Sequence, residues 1–123
     1  MSSVLFIDDE LDTLSTLKKG VELFGHRALL AQSGSEGIEL ALSDQPDIIF
    51  VDMQLGGISG LEVVRALRQD QRTAAIPIYV LSAGPELDAQ ERAINSGANA
   101  YLLKPVRLQT LIYAIEADLT DEG

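Results

Sequence analysis

Charged and hydroxyl side chains directly follow four short apolar segments of this sequence. They are Asp8 and Asp9, Asp52, Ser82 and Lys104, which come after residues 4–7, 47–51, 76–81 and 100–103. Carboxylate oxygens are ligands that Mg²⁺ prefers, whereas an ammonium or a hydroxyl binds an anion. Phosphoryl transfer depends on such charge neutralisation and positioning. The set therefore predicts phosphoryl chemistry, with Asp52 as a carboxylate nucleophile and Asp8 with Asp9 as a metal-binding pair.

Each of these residues also has an ordinary structural role open to it. Asp9 could cap a helix that begins near Leu11, Ser82 is a common turn residue, and Lys104 could be a surface charge. Three aspartates in one small site are harder to account for in this way, because like charges repel and destabilise the fold unless a cation neutralises them. Lys104 precedes Pro105, and a cis bond before proline costs only about 0.5–1 kcal/mol. Such a bond is one way to aim Lys104 into the site.

Apolar segments of four to six residues alternate with segments of helical periodicity along the chain. The predicted strands span residues 4–7, 26–31, 47–51, 76–81 and 100–103. The predicted helices span residues 11–24, 35–43, 61–68, 87–96 and 108–119. Residues 48–51 are continuously apolar, which is typical of a strand covered on both faces. We therefore predict an α/β fold of five βα units, a doubly wound parallel sheet whose ligand lies beyond the carboxyl ends of the strands.

The spacing of apolar residues also predicts which helix faces are buried. The stripe of the first helix comprises Leu11, Leu14, Leu17, Val21 and Phe24. The second helix is predicted to start with a cap at Ser35 and to bury Ile38, Leu40, Ala41 and Leu42. The inward residues predicted for the third and fifth helices are Leu61, Val64 and Leu67, and Leu111, Ile112 and Ile115.

Composition argues against several classes of protein. The 123 residues are 46% hydrophobic and contain no Cys, which predicts one domain with its own core and excludes disulfides and Cys-based metal sites. A single histidine, His26, argues against a His-rich zinc site. Nineteen acidic and nine basic residues give a net charge of −10, which argues against direct binding to nucleic acid. The sequence shows no membrane-spanning or signal-peptide pattern, so a cytoplasmic protein without membrane contact is expected.

The sequence resembles the receiver domain of bacterial two-component response regulators, because its site residues follow the successive strands of five βα units at the spacing typical of that family. The resemblance rests on Asp8 with Asp9, Asp52, Ser82 with Ala83, and Lys104 with Pro105, and it covers essentially the whole chain. It implies the CheY-like, flavodoxin-type three-layer sandwich with strand order 2-1-3-4-5. We expect a single receiver domain over residues 1–123 with no output domain in this chain, either acting alone or cut from a longer regulator or hybrid kinase.

The resemblance implies a role for each acidic residue of the site. Asp52 would be the phosphorylated residue and would also bind Mg²⁺. Asp9 would be a direct metal ligand, and Asp8 would act more through water. The backbone carbonyl of Gln54 would complete the metal site.

The same resemblance implies that Ser82 and Lys104 contact the phosphoryl oxygens. Tyr101 matches the family's aromatic switch position, where the ring moves inward as Ser82 is drawn towards the phosphate. Tyr101 is equally compatible with an ordinary half-buried aromatic residue on a strand.

Three positions depart from, or vary within, the family pattern. Gly56 stands where the loop after the acceptor usually carries a proline, so this loop is expected to be looser. Gln54 and Gly84 occupy positions that, in this family, tune the lifetime of the phosphoryl group. Gly84 has no side chain that could shield the acyl phosphate from water. We expect a phosphorylated state that is not unusually long-lived.

The implied partners are proteins. The donor would be a phosphohistidine on a sensor histidine kinase or phosphotransfer protein, docking near the first helix. Glu10, Thr13 and Thr16 are candidate contacts there, or equally ordinary solvated surface. An unknown downstream target would bind the face made by the fourth helix, fifth strand and fifth helix. The fifth helix lacks Arg and Lys, which argues against the charged dimer face of winged-helix regulators. A monomer or a weak phosphorylation-dependent dimer is expected.

Three other functions are compatible with parts of the pattern. A phosphatase-like hydrolase with a nucleophilic Asp would need a one-residue spacer between its two aspartates and a cap domain. A non-phosphorylated pseudo-receiver would be favoured by the loss of an acidic or Lys position, and none is lost. A flavodoxin-like cofactor binder would need a Gly-rich phosphate cradle where Asp8, Asp9 and Glu10 stand. The sequence therefore favours a phosphoacceptor signalling domain rather than an enzyme.

Overall fold

Five strands alternate with five helices in the computed structural model, which describes residues 2–83 and 88–120 and side chains as far as residue 117. The strands are β1 (Ser3–Ile7), β2 (Arg27–Ala31), β3 (Ile48–Asp52), β4 (Ile78–Ser82) and β5 (Ala100–Leu103). The helices are α1 (Leu11–Leu23), α2 (Gly34–Asp44), α3 (Gly60–Gln69), α4 (Ala89–Ser96) and α5 (Leu108–Thr120).

The five strands form one parallel sheet in the order β2-β1-β3-β4-β5. This confirms the predicted fold and strand order. β1 lies between β2 and β3, with Ile7 opposite Ala31 on one side and Val51 on the other. The chain direction of the crossovers reverses at β1, so a crevice opens between the carboxyl ends of β1 and β3. Asp8 and Asp52 stand at the edge of this crevice.

The sheet separates two hydrophobic cores, which explains the continuously apolar segment of β3. Ile49 and Val51 face the core that includes α2, α3 and α4, whereas Ile48 and Phe50 face the core that includes α1 and α5. Successive side chains of a strand point to opposite faces, so both sets are buried. The Phe6 and Phe50 rings stack across β1 and β3 with centroids 5.4 Å apart. The two strands that carry the acidic residues are therefore held by packing on both sides.

Arg68, near the end of α3, holds together the edge of the sheet opposite the acidic residues. Its Nε donates to the carbonyl of Gly97 at 2.8 Å, and Nη1 donates to the carbonyls of Ala74 and Ile76 at 3.0 and 2.7 Å. Its Nη2 donates to Asn99 Oδ1 at 2.7 Å. One guanidinium thus ties α3 to the segment before β4, to the end of α4 and to the residue before β5.

One prediction about α1 is wrong, and one alternative considered for Asp9 is excluded. Leu11 and Phe24 were expected on its buried stripe, but they are 57% and 52% exposed, whereas Leu14 and Val21 are fully buried. Leu11 is the first residue of the helix and Phe24 follows its last residue, so both lie where the packed face ends. Asp9 does not cap α1, because Glu10 occupies the cap position and makes no side-chain capping bond.

Several predicted boundaries also move. Ser33, not Ser35, caps α2, and its Oγ accepts a hydrogen bond from the Glu36 amide at 3.1 Å. β4 starts two residues later than predicted, after Pro77, whose carbonyl accepts the Ile49 amide at 2.9 Å. The inward residues predicted for α3 and α5 are all buried. In α2, Ala41 is buried and the other three predicted residues are half-buried.

In the part of the chain that the structure describes, none of the helices combines the length and apolar character needed to cross a bilayer. Leu87, the predicted start of the fourth helix, lies outside the described residues, as does Gly84.

Candidate functional site

Three carboxylates meet at the crevice between β1 and β3. Asp8 directly follows β1, and Asp52 is the last residue of β3. Oxygen atoms of Asp8, Asp9 and Asp52 all lie within 4.8 Å of one another. Asp8 and Asp52 are buried, with 3% and 8% exposure, whereas Asp9 is exposed. The expected convergence of the three acidic residues is therefore present, and its exposed side is formed by Asp9.

The two buried carboxylates are oriented by the same local hydrogen bond. Asp8 Oδ1 accepts the backbone N–H of Glu10 at 2.9 Å, and Asp52 Oδ1 accepts the backbone N–H of Gln54 at 3.1 Å. In each case a carboxylate binds the amide two residues ahead, a pattern in which a short acidic side chain closes its own turn. One oxygen of each carboxylate is fixed in this way, and the second oxygen, Oδ2, contacts Lys104.

Lys104 joins the two buried carboxylates. Its Nζ lies 2.8 Å from Asp52 Oδ2 and 3.2 Å from Asp8 Oδ2. Burial disfavours the charged ammonium, but the hydrogen bonds and negative charges of Asp52 and Asp8 outweigh that cost and raise the pKa of Lys104 above its usual value. Lys104 is therefore a protonated bridge between two separate segments of the sequence. The Lys104–Pro105 peptide bond is cis, which bears out the hypothesis drawn from Pro105.

Ser82 and Lys104 are held in register by the backbone. Ser82 is the last residue of β4, and its carbonyl accepts the Lys104 N–H at 2.8 Å. Ser82 is 1% exposed, and the residue before it, Leu81, pairs with Asp52 across β3 and β4. The sheet therefore brings the predicted hydroxyl and ammonium positions to the same edge as the acidic residues.

The remaining two predicted residues lie at the margins of the site. Gln54 is exposed on the loop that follows β3, two residues beyond Asp52. Tyr101 is half-buried on β5 opposite Val80, and it packs against the core on the α4 side of the sheet. Tyr101 thus lies one strand away from Ser82, while its predicted role in switching stays a prediction.

Two depressions adjoin Lys104, and one of them also adjoins the carboxylates. One of about 430 Å³ is lined by Asp9, Asp52, Gln54, Ala83 and Lys104 among others. A second, of about 600 Å³, runs between the first turns of α1 and the segment after Lys104. We call it the α1 groove; its walls include Glu10, Thr13, Thr16, Leu17, Pro105 and Val106. Pro105 and Val106 were not predicted as wall residues, and their position directly after Lys104 was the available signal.

The donor set fits a hard divalent cation. The converging atoms are carboxylate oxygens, which suit Mg²⁺, and the neighbouring depression leaves room for the water ligands that Mg²⁺ keeps. Three carboxylates and one ammonium leave an excess of two negative charges. The site can therefore bind a divalent cation, and the ammonium of Lys104 can approach an anion placed beside Asp52.

Known proteins similar to this chain match it over nearly its whole length. A family model described as the response regulator receiver domain matches residues 4–116. The chain is 32% identical over 119 residues to protein PilH of Pseudomonas aeruginosa, covering 97% of this chain and 98% of PilH. It is 34% identical over 120 residues to the transcriptional regulatory protein PrrA of Mycobacterium tuberculosis, covering 98% of this chain but 51% of PrrA. A solved response regulator receiver domain protein from Clostridium thermocellum has a TM-score of 0.91 and 29% identity, covering 99% of this chain and 97% of that chain.

Proposed function

Because this chain belongs to the response regulator receiver-domain family of two-component signalling, we propose that Asp52 accepts a phosphoryl group from a phosphohistidine. The observation that carries this proposal is the bridge at the centre of the site. Lys104 Nζ lies 2.8 Å from Asp52 Oδ2, beside carboxylates that converge within 4.8 Å. A carboxylate that will carry a phosphoryl group needs positive charge next to it, and this arrangement supplies it.

In the proposed transfer, an Asp52 carboxylate oxygen attacks the phosphorus atom of the donor. The O–P bond forms as the P–N bond to the donor's imidazole breaks, and the imidazole nitrogen keeps that electron pair and takes up a proton. Lys104 stays beside the new acyl phosphate and neutralises part of its added charge. Ser82, on the neighbouring strand, donates its hydroxyl to a phosphoryl oxygen.

Asp8, Asp9, Asp52 and the backbone carbonyl of Gln54 are the proposed ligands of Mg²⁺. When bound, the ion neutralises negative charge on the transferring phosphoryl group. Asp8 and Asp52 are already oriented by the amides of Glu10 and Gln54. Asp9 is the exposed member and can move to complete the coordination.

The donor is proposed to be a sensor histidine kinase or a phosphotransfer protein that enters along the α1 groove. The groove leads from α1 to Lys104, and Thr13 and Thr16 form part of its wall. Glu10 lines both this groove and the depression over Asp52. A helix seated in the groove would bring its imidazole close to the acceptor.

Phosphorylation is proposed to alter a second surface, formed by α4, β5 and α5. Movement of Ser82 towards the phosphoryl group would draw Tyr101 inward and change this surface. Exposed Ile94, Leu103 and Tyr113 lie on these three elements, with 44%, 62% and 76% exposure. Such exposed apolar side chains suit a protein target of the signal.

Residues 1–123 would act as one cytoplasmic receiver domain, as a monomer or a weak phosphorylation-dependent dimer.

The test is incubation with a small acyl phosphate and Mg²⁺, with the product read by intact mass. We expect one phosphoryl group on the wild type, and none on Asp52→Asn or in the presence of a chelator. Glu39→Gln, which changes an exposed carboxylate on α2, should be phosphorylated like the wild type. Absence of phosphorylation in the wild type would favour the pseudo-receiver alternative, and release of phosphate from many esters without a protein donor would favour a hydrolase.

The depression over Asp52, whose wall includes the exposed Gln54, also sets an expectation for the lifetime of the acyl phosphate. The depression over Asp52 is open to solvent, so water reaches the acyl phosphate. Decay followed by intact mass after removal of the donor should be complete within hours, and a half-life of many hours would contradict this expectation.

A further inference from the structure

Gly60, the first residue of α3, lies directly against the backbone of the proposed phosphoacceptor. A Cβ atom at this position would contact the Asp52 carbonyl oxygen, and it would lie 2.8 Å from Met53 Cα and 3.0 Å from the Asp52 carbonyl carbon. Real Cβ atoms essentially never show approaches as close as the first two, and the third is tighter than nine in ten real Cβ contacts. All three of these atoms belong to the backbone, so no side-chain rotation could relieve the contact.

The space around Gly60, rather than its backbone conformation, requires glycine. Gly60 begins a regular α-helix, and its φ lies outside the left-handed region, so alanine could adopt the same conformation. Gly56 lies in the same loop, and a methyl group added to it would have no atom within 4 Å. The chain thus tolerates a side chain near the middle of the loop and excludes one where the loop returns to Asp52.

The close approach also closes the loop that carries Gln54. The Gly60 amide donates to the Met53 carbonyl at 3.0 Å, so the residues between them form a bounded loop. Ser59 fixes the start of α3 through a reciprocal cap, in which Ser59 Oγ accepts the Glu62 amide and Glu62 Oε1 accepts the Ser59 amide. The first turn of α3 is therefore fixed by its cap and packs directly against the backbone of Asp52.

We propose that Gly60 is a positioning residue for phosphoryl transfer, because its missing side chain lets α3 set the backbone of Asp52 and the loop bearing Gln54. This inference rests on the proposed role of Asp52 as the acceptor. A displacement of about 1 Å at a reacting group can cost on the order of a hundredfold in rate. A methyl group at residue 60 must displace either the backbone at Asp52 or the whole first turn of α3.

The test compares Gly60→Ala with Gly37→Ala, a control that adds the same methyl group elsewhere. A Cβ at Gly37 would crowd the Ile7 side chain, with Cγ1 at 2.7 Å, and would not touch the backbone of Asp52. Thermal unfolding establishes that each variant is folded at the assay temperature. Phosphorylation by a small acyl phosphate is then followed by intact mass over a range of Mg²⁺ concentrations, and backbone amide shifts are recorded by NMR.

For Gly60→Ala we expect a maximal rate lower by about tenfold or more, a higher Mg²⁺ concentration at half-maximal rate, and altered amide shifts at Asp52 and Met53. For Gly37→Ala we expect the wild-type rate and Mg²⁺ dependence, even where its melting temperature falls equally. A wild-type rate in folded Gly60→Ala, or an equal loss of rate in Gly37→Ala, would overturn the proposal.

Two further outcomes are decisive. If the wild type takes up no phosphoryl group, the proposed function fails. Unchanged backbone amide shifts at Asp52 in Gly60→Ala would separately exclude a positioning role for Gly60. If Gly60→Ala does not fold, Ser59→Ala replaces it, with Ser33→Ala as the matched loss of a cap on α2. Ser59→Ala should then lower the rate while Ser33→Ala leaves it unchanged; equal effects of the two would refute the proposal.

Discussion

Replacing Lys104 by methionine should destabilise the metal-free protein and make it respond more strongly to Mg²⁺. The ammonium bridges Asp52 and Asp8, whose side chains are 10% and 4% exposed, while Lys104 itself keeps 23% exposure. Breaking a fully buried ion pair costs about 3–5 kcal/mol, and an exposed pair contributes about 0–1 kcal/mol. The partial exposure of Lys104 places its contribution between these limits. We therefore expect the free energy of unfolding of Lys104→Met to fall by about 2 kcal/mol in the absence of metal.

The same variant should bind Mg²⁺ more tightly than the wild type. In the wild type, a cation that approaches Asp8 and Asp52 is repelled by the ammonium already bound to their Oδ2 atoms. Removing that charge also leaves the repulsion among the carboxylates uncompensated, which a divalent cation relieves. We expect the Kd for Mg²⁺ to fall by about tenfold or more, equivalent to about 1.4 kcal/mol.

Both effects are measured by urea and thermal unfolding in chelator and in increasing Mg²⁺. In chelator the melting temperature of Lys104→Met should fall by roughly 8 °C, and saturating Mg²⁺ should restore more stability to the variant than to the wild type. Lys18→Met, at an exposed position of α1, is the control and should change neither quantity. Wild-type stability of Lys104→Met in chelator, or an equal gain from Mg²⁺ in both proteins, would refute the bridging role.

Three further predictions concern stability. Arg68→Met removes four hydrogen bonds to protein oxygens, so its free energy of unfolding in urea should fall by about 2–4 kcal/mol; a loss no larger than that of an ordinary surface substitution would contradict this. Gly56→Ala should raise that free energy by about 0.4–1 kcal/mol, whereas Gly57→Ala should lower it, because Gly57 has a φ of +88°; equal effects would be contrary to expectation. The pKa of Lys104 is raised on folding from its ordinary value of 10.5, so its contribution to the free energy of unfolding is complete below that value and is lost as the pH rises through the higher folded-state pKa; the wild type should then lose stability faster than Lys104→Met in urea titrations at alkaline pH.

The sequence predicts the order of elements because the central strands bury both faces. In a short α/β chain, a continuous apolar segment such as residues 48–51 is typical of a strand in the middle of a parallel sheet. The polar residue that follows it must leave the core, so Asp52 could be placed at the carboxyl end of its strand from the sequence alone. The same reasoning placed Asp8, Ser82 and Lys104, which explains why the site could be predicted more fully than the helix boundaries.

Helix ends and long-range polar contacts are less predictable. Periodicity alone cannot tell that Leu11 and Phe24 lie at the ends of α1, because an exposed leucine at the end of a helix keeps the same spacing as a buried one. Arg68 binds mainly backbone carbonyls, which every residue possesses, so no sequence pattern indicates its partners. Gly60 illustrates a third limit, since a glycine required by packing and a glycine such as Gly56 in open space are identical in sequence.

The charge of the site connects its resting structure to its proposed signal. Asp8, Asp9 and Asp52 carry three negative charges, and Lys104 neutralises one of them through two contacts. The two remaining charges match one divalent cation, so the metal-bound site would be close to neutral. Converting the Asp52 carboxylate to an acyl phosphate adds about one further negative charge at pH 7. That new charge must be met by donors already at the edge of the sheet, Lys104 and Ser82, and this requirement is a physical reason for phosphorylation to move the end of β4.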